Sequence, residues 1–555
     1  MILPRGPDRA RIMIVGEFPS ANDEAAGIPF TGNSGAELDR MLGEAGIIPT
    51  DCYYTTVVRV TPPGNNIENF MPPSKKKAAD AGAIYYRGKW CTEEIINGLT
   101  LLEQEILRVK PNIIFALGNL PLWATTGKSA ITKWRGSIMR GSLDTARFKV
   151  MPTYHPSIIV KRWDWRWITV HDFKRGQGES HDPEVHKRER SFLLRPSFVE
   201  TMGWLRRLEE RLATETLVKI AVDLETRAQH IACFGLATSR DDALCIPLMC
   251  VENPLGYWNL EEEVQIYLKL RAILTHPSAY VIGQNYIYDL QYIALRMGFQ
   301  SNFNADTMVF HHLCFPGTQK GLDFISSLYC EEYEYWKSEG KEWDPRVHDE
   351  DILWRYNCMD ACNTFECEEV SGRNIKAMGL SAQLEIQMTD AHNAFHLMLR
   401  GMKVDLKVKA QMALDLVEAM AQRLDFIKQV LGREVNPGSP KQVAILLYDV
   451  FNLPKQMKKR KSLEGIKYST TGDADAIDKL LGICEPLYRP ILLAIKEYRS
   501  LSVYKSTFAE AQIDKWDSKI RCSIYVAGPE TFRWATGEDA FNTGMNLQNI
   551  PRNRE

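Results

Sequence analysis

A multidomain α/β protein is what this sequence predicts, and three observations predict it. Its 555 residues exceed what one hydrophobic core accommodates, so three or four domains are expected. Residues 1 to about 172 alternate short apolar runs with amphipathic stretches, as strands and helices packed in layers do. From about residue 376 the pattern changes to long helices.

The bulk composition narrows the class. With 45% hydrophobic and 25% charged residues the chain reads as an ordinary globular protein, without large disordered tracts. A net charge of −2 excludes a global basic field, so any nucleic-acid affinity has to come from local patches. The twelve cysteines include no Cys-x-x-Cys pair, which favours a reducing, intracellular compartment. No run of eighteen apolar residues occurs, and MILPRGPDRARIMIVGE puts charge and proline ahead of a single strand, unlike a signal peptide. A soluble, cytoplasmic protein with no membrane partner is expected.

The N-terminal stretch reads as the strand RIMIV, the helix SGAELDRMLGEAG, the strand YYTTVVRV, the helix TEEIINGLTLLEQEILRV and the strands NIIFALG and FKVMPTYHP. Between the first strand and helix lies a loop of small residues, GEFPSANDEAAGIPFTGN, with Asn33 or Ser34 available as the helix cap. His155, in Tyr154-His155-Pro156-Ser157, puts an imidazole at a strand end. The next stretch, 173–191, is charged and without period, and is expected to be a linker.

Residues 192–375 carry the carboxylates that matter most. In KIAVDLET the apolar run Ile220, Ala221, Val222 predicts a buried strand, and the i, i+2 spacing turns Asp223 and Glu225 to one sheet face. Asp289 follows an extended piece, Tyr280 to Gly283, at the start of an amphipathic helix stopped by Gly298. Tyr356 and Asp360 stand at i, i+4 in DILWRYNCMDACNTFE and share one helix face. Cys358, Cys362 and Cys367 ride the same helix as packing residues. Four carboxylates suit two divalent ions, Mg²⁺ or Mn²⁺, held roughly 3.5–4 Å apart to clamp the attacking and leaving oxygens of a phosphodiester, with Tyr356 orienting the water.

Beyond residue 376 two long helices are expected, AQLEIQMTDAHNAFHLMLRGM and VKAQMALDLVEAMAQRLDFIKQVLG, followed by a Gly-, Thr- and Asn-rich tail. KQMKKRK, with Lys455, Lys458, Lys459, Arg460 and Lys461, reads as a basic tip between helices, suited to phosphate contacts.

These motifs carry three resemblances. Asp223, Glu225, Asp289, Tyr356 and Asp360, with Asn285 and Tyr288 beside the third, resemble the DEDDy 3′–5′ exonucleases, the proofreading domains of family A DNA polymerases. The resemblance implies an RNase H-like exonuclease domain over 192–375, acting on primer-template and single-stranded 3′ ends. GEFP, GIPFTG-x-SG, ALGNLPL, KWRG and YHPS resemble the uracil-DNA glycosylase superfamily, nearest its family 4, implying an α/β/α sandwich over 1–172. In that family Glu17 and Asp23 would serve water and backbone contacts, Phe30 would stack on a flipped base, and His155 would stabilise charge on uracil. Phe18 stands where a small residue is usual, and Thr56 where an asparagine reads the uracil edge. Val60 replaces one iron–sulfur cysteine and Cys91 is the only match, so no cluster is expected. Finally, VNPGSPKQVAILLYDVFNLP, ILLAIKEYRSLSVYKSTF and MNLQNIPRN resemble the thumb and first part of the palm of family A polymerases over 376–555. There Arg533, Asn546 and Gln548 would approach DNA. The sequence stops before that family's palm carboxylates, so polymerisation is not expected from this chain alone. A phage-like split polymerase completed by a second polypeptide, or a longer copy, is expected.

Overall fold

The computed structural model describes residues 1–462, 465–514 and 517–550, apart from the side chains of 460–467. It is a mixed α/β multidomain structure with two compact units, Met1–Met388 and Thr389–Glu555.

The first unit contains two sheets. Strands β1 (Ile12–Gly16), β2 (Tyr53–Thr56), a small hairpin of β3 (Ile84–Tyr86) and β4 (Lys89–Cys91), β5 (Ile113–Leu117), β6 (Met139–Leu143) and β7 (Ala146–Thr153) precede the second sheet. Five of them form a sheet in the order β2-β1-β5-β7-β6, parallel except for the β6–β7 pair. Strand periodicity explains the continuous apolar runs: Ile12 and Ile14 enter one core while Met13 and Val15 enter the other. In β5, Ile113, Phe115 and Leu117 split from Ile114 and Ala116 in the same way. Helices therefore have to cover both faces, and Asn33–Glu44 and Glu93–Val109 contribute Leu38, Met41 and Leu42 to one core and Ile95, Leu99 and Leu102 to the other.

The second sheet comprises β8 (Ser191–Leu193), β9 (Val218–Arg227), β10 (His230–Ala237), β11 (Asp242–Pro247), β12 (Ala279–Gly283) and β13 (Ala305–Asp306), in the order β13-β12-β9-β10-β11-β8. The helix Glu350–Ala377 lies across β9, β10 and β11. Gly235 permits that approach, because a Cβ there would sit 2.5 Å from Asn357 Oδ1.

Two expectations for this unit change. The charged stretch after 172 is not a linker at its start: a helix runs Arg166–Glu179, with Asp172 and Phe173 fully buried. Counting charges misleads there because Arg175 is spent on the carbonyls of Gly136, Ser327 and Cys330 and Glu179 pairs with the buried Lys149. Helix Asn33–Glu44 is capped by Gly32 without a side-chain bond, so neither Asn33 nor Ser34 is the cap.

The second unit packs the helices Leu406–Leu431 and Arg489–Tyr504 together, with Ile427, Leu446, Leu447, Ile477, Leu480, Leu492 and Ile495 in its core. The basic segment between helices is extended: Met457–Ser462 pairs antiparallel with Gly465–Thr470 as a two-stranded ribbon. Its described side chains, Lys458, Lys459 and Tyr468 among them, are exposed, and an exposed face imposes no alternation on the sequence.

Candidate active site

Strand β9 delivers Asp223 and Glu225 two residues apart, and the helix Glu350–Ala377 delivers Asp360. One carboxylate oxygen from each lies within 4.8 Å of the others. Asp289, 5% exposed at the start of helix Ile287–Tyr292, joins them by accepting Leu224 N–H at 3.2 Å. Its approach depends on a turn at Asn285, which has φ 54°. Asp306 fixes that turn, accepting Asn285 N–H at 3.0 Å and Tyr286 N–H at 2.8 Å. Burial outweighs those donors and pushes the Asp306 carboxyl up to about 6. Tyr288 bonds its hydroxyl to Thr226 Oγ1 at 3.1 Å, beside Glu225 on the same strand.

Four further residues meet the cluster without having been singled out in the sequence. Asp306 is one, and Asn357 is another, donating to the Asp223 carbonyl at 3.0 Å and its carboxylate at 2.8 Å. Trp336 Nε1 donates to Asp360 Oδ1 at 2.6 Å, and Lys337 Nζ bonds both Asp360 and the Tyr356 hydroxyl, the latter at 2.8 Å. Trp336 and Lys337 lie before the helix, at no regular spacing from it, so periodicity carried no signal for them. Asn357 was legible only as a polar residue on a helix face that happens to be buried.

Burial, then the charge of Asp360, drives the Asp223 carboxyl up to about 8. Glu225 is raised well above its ordinary value by burial and by Asp223 and Asp360; Asp289 is raised by burial and by Asp223. Burial disfavours the Lys337 ammonium, but Asp360 and Asp223 outweigh it and hold its pKa above the ordinary range. The Tyr356 phenol is raised by burial and by Asp360 and Glu225, so it stays protonated. Ionising all four carboxyls against one ammonium would leave a strong unmet negative charge, which is why Asp223, Glu225 and Asp289 hold their protons. Asp223, Glu225 and Asp360 bring hard oxygen ligands close enough to hold a divalent cation, with Asp289 beside them.

A pH dependence follows. The unfolded carboxylates ionise near their ordinary values of 3.8 and 4.5, whereas the folded ones keep their protons to higher pH. Between those limits the native state binds more protons, so in chelator its stability falls as pH rises, and the contribution is lost as pH passes the folded pKa. Thermal melts in chelator from about pH 5 to about pH 8 should show that fall, and Mg²⁺ added at neutral pH should reverse it with release of protons, read by calorimetry in two buffers. A flat profile with no proton release would contradict these electrostatics.

The first sheet carries a separate pocket. Glu17, just past β1, accepts the N–H groups of Asn119 and Leu120 at 3.1 and 3.4 Å, at the start of helix Asn119–Thr126. Asp23 accepts Thr31 N–H at 2.7 Å and boxes its own helix with Ser20. Phe30, at φ 59°, sets its ring centroid 6.1 Å from that of His155. Gly16 makes room for this ring, since a Cβ there would lie 2.6 Å from Phe30 Cζ. His155 caps helix Pro156–Lys161 through Nδ1 and Ser157 N–H at 3.2 Å. Burial lowers its pKa despite Glu17 and Asp23, so the ring is neutral near pH 7. Thr56 commits its hydroxyl to the Val58 carbonyl at 2.7 Å, and Cys91 is buried.

In the second unit Lys455, Lys458, Lys459 and Arg533 are exposed, Lys458 pairing with Asp473 at 2.7 Å. The side chains of Arg460 and Lys461 lie outside the described residues. Asn546 caps Leu547–Asn549, and Gln548 Nε2 donates to the Trp534 carbonyl at 2.8 Å, so both side chains serve their own turn. Among the described residues no helix is long and apolar enough to cross a membrane.

Residues 3–174 match the uracil DNA glycosylase superfamily. A type-4 uracil-DNA glycosylase of Thermotoga maritima is 30% identical over 32% of this chain and 81% of its own length. Through its N-terminal part the chain belongs to that superfamily. The remainder is homologous to family A DNA polymerase I. A DNA polymerase I of Pseudomonas aeruginosa is 24% identical over 63% of this chain and 38% of its own length. A DNA polymerase of Bacillus phage SP01 is 24% identical over 56% of this chain and 33% of its own length. The chain thus spans between a third and two fifths of these polymerases.

Proposed function

We propose that residues 192–375 form a 3′–5′ DNA exonuclease that removes nucleotides from primer ends, within a chain related to family A polymerases. The convergence of Asp223, Glu225, Asp289 and Asp360 beside Tyr356 is the observation that carries this reading. Two divalent ions, Mg²⁺ or Mn²⁺, when bound by the four carboxylates, would supply Lewis acidity for water activation and for the charge on the leaving oxygen. The chain's own residues do the rest. Tyr356, kept protonated and tied to Lys337, orients the water that attacks the terminal phosphorus. The bond from phosphorus to the preceding 3′ oxygen breaks, that oxygen takes a proton, and a nucleoside 5′-monophosphate leaves. Asn357 holds the Asp223 carboxylate from behind. The test is digestion of a 5′-labelled single-stranded oligonucleotide with Mg²⁺. Products shortened one nucleotide at a time from the 3′ end support the reading; internal cuts or an intact substrate overturn it.

A second reading concerns the pocket of Glu17, Asp23, Phe30 and His155, where an aromatic ring and a neutral imidazole face each other, as a flipped base requires. Under it, His155 stabilises charge leaving on uracil, and His155→Ala lowers uracil release from single-stranded DNA by about 10²-fold or more. With Thr56 committed to Val58, base selectivity would be poor. Equal, negligible release by wild type and variant would leave the pocket a binding site at most.

A further inference from the structure

We infer that the glycosylase-like part is a positioning element of the nuclease site, acting through the segment 327–337; this rests on the nuclease reading above. Asp360 is held by two side chains, Trp336 and Lys337, that belong to neither of the elements carrying the carboxylates. The residues before them, Cys330 to Tyr335, form no helix or strand. Glu331 N–H donates to Glu366 of the long helix at 2.9 Å, and the bonds nearer Trp336 come from the first sheet's side. Ile138 N–H donates to the Tyr333 carbonyl at 2.9 Å, and Tyr335 N–H donates to Ser137 Oγ at 3.2 Å. Arg175 donates to the carbonyls of Ser327 and Cys330 at 2.7 and 2.8 Å, satisfying acceptors left over where helix Leu322–Tyr329 ends. The Tyr335 ring packs edge-on against Trp134, with centroids 5.1 Å apart.

Apolar packing continues the same connection. Ile138, Leu322, Tyr333, Tyr335, Trp336 and Tyr356 lie in one cluster that reaches the strands β1 and β5. The Trp134–Ile138 stretch, which overlaps the KWRG motif of the glycosylase resemblance, is therefore turned towards the segment that orients Asp360. A side chain that sets the direction of a metal-holding carboxylate acts as an outer-shell partner, and loss of such partners typically costs about 10- to 100-fold in metal affinity or activity. Here that outer shell is anchored on another fold. Trp336 and Lys337 are positioning residues in this sense, and Ser137, Ile138 and Arg175 set them.

Full-length Arg175→Met and Trp336→Phe test this, with Mn²⁺ binding measured without DNA and hydrogen–deuterium exchange followed over residues 330–337. Arg175→Met is expected to raise exchange there, weaken Mn²⁺ binding by about tenfold, and lower kcat for 3′ digestion with KM unchanged. Trp336→Phe keeps the ring in the cluster but lacks the indole N–H, and should weaken Mn²⁺ binding without raising exchange. Wild-type exchange and wild-type Mn²⁺ binding in a folded Arg175→Met would overturn the inference. Should that variant not fold, Ser137→Ala removes a single hydroxyl and carries the same two readouts. Neither readout needs nuclease activity, so an inactive wild type would sink the functional reading and leave this inference to be judged by metal binding and exchange.

Discussion

Replacing Asp223 and Glu225 together by alanine is expected to abolish Mg²⁺-dependent degradation from 3′ ends while leaving DNA binding intact. The two side chains share a sheet face, and with Asp360 they bring three carboxylate oxygens within 4.8 Å. Removing two of the four carboxylates leaves too few hard ligands for a cation pair, and several kcal/mol of transition-state stabilisation go with it, a loss of about 10³-fold or more. Stability should move the other way. Glu225 and Asp223 are both raised first by burial and then by neighbouring carboxylates, Asp360 acting on each, so their deletion relieves the cost of keeping ionisable groups buried and crowded. In chelator at neutral pH the double variant should therefore melt at or above the wild-type temperature. Persistent Mg²⁺-dependent digestion by a purified double variant would falsify the site assignment. A large drop in melting temperature would instead contradict the electrostatics, whatever happened to activity.

The legible part of this site is the part governed by periodicity. Period two places Asp223 and Glu225 together, and a spacing of four places Tyr356 over Asp360, without any knowledge of tertiary structure. Asp289 required the turn at Asn285, whose positive φ is set by Asp306 twenty-one residues away. Nothing in the local sequence announces that tether. Trp336 and Lys337 were invisible for a related reason: their segment has no period, and its conformation is set by backbone bonds to Ser137 and Ile138, nearly two hundred residues earlier in the chain. The fold shows the same division. Four of the first sheet's five strands were legible as apolar runs, whereas β6, MRGSL, is buried only at alternate positions and was not read. The helix Arg166–Glu179 was partly hidden because Arg175 and Glu179 count as surface charges in the sequence and are spent on internal partners in the structure, as is Asp172 just before them.

That buried carboxylate sets up the second large effect. Asp172 is 0% exposed and accepts Arg135 Nε at 3.0 Å and Nη2 at 2.6 Å, with Thr153 Oγ1 at 2.7 Å as a third donor. Arg135, 1% exposed, spends its remaining nitrogen on Ser327 Oγ at 2.8 Å. Asp172→Ala leaves a guanidinium buried and unpaired, and breaking such a pair from one side costs about 3–5 kcal/mol. The urea midpoint of the first unit should fall accordingly. Replacing both partners, as Arg135→Met with Asp172→Leu, removes the orphaned charge together with the attraction, and should recover most of that loss. It cannot recover the bond to Ser327. Hydrogen exchange over helix Leu322–Tyr329 should therefore stay faster in the double variant than in wild type, even with the midpoint restored. A midpoint shift below about 1 kcal/mol for Asp172→Ala would mean that water reaches Arg135 and that the pair behaves as a surface ion pair. The outcome separates what the pair contributes to stability from what it contributes to joining the two sheets.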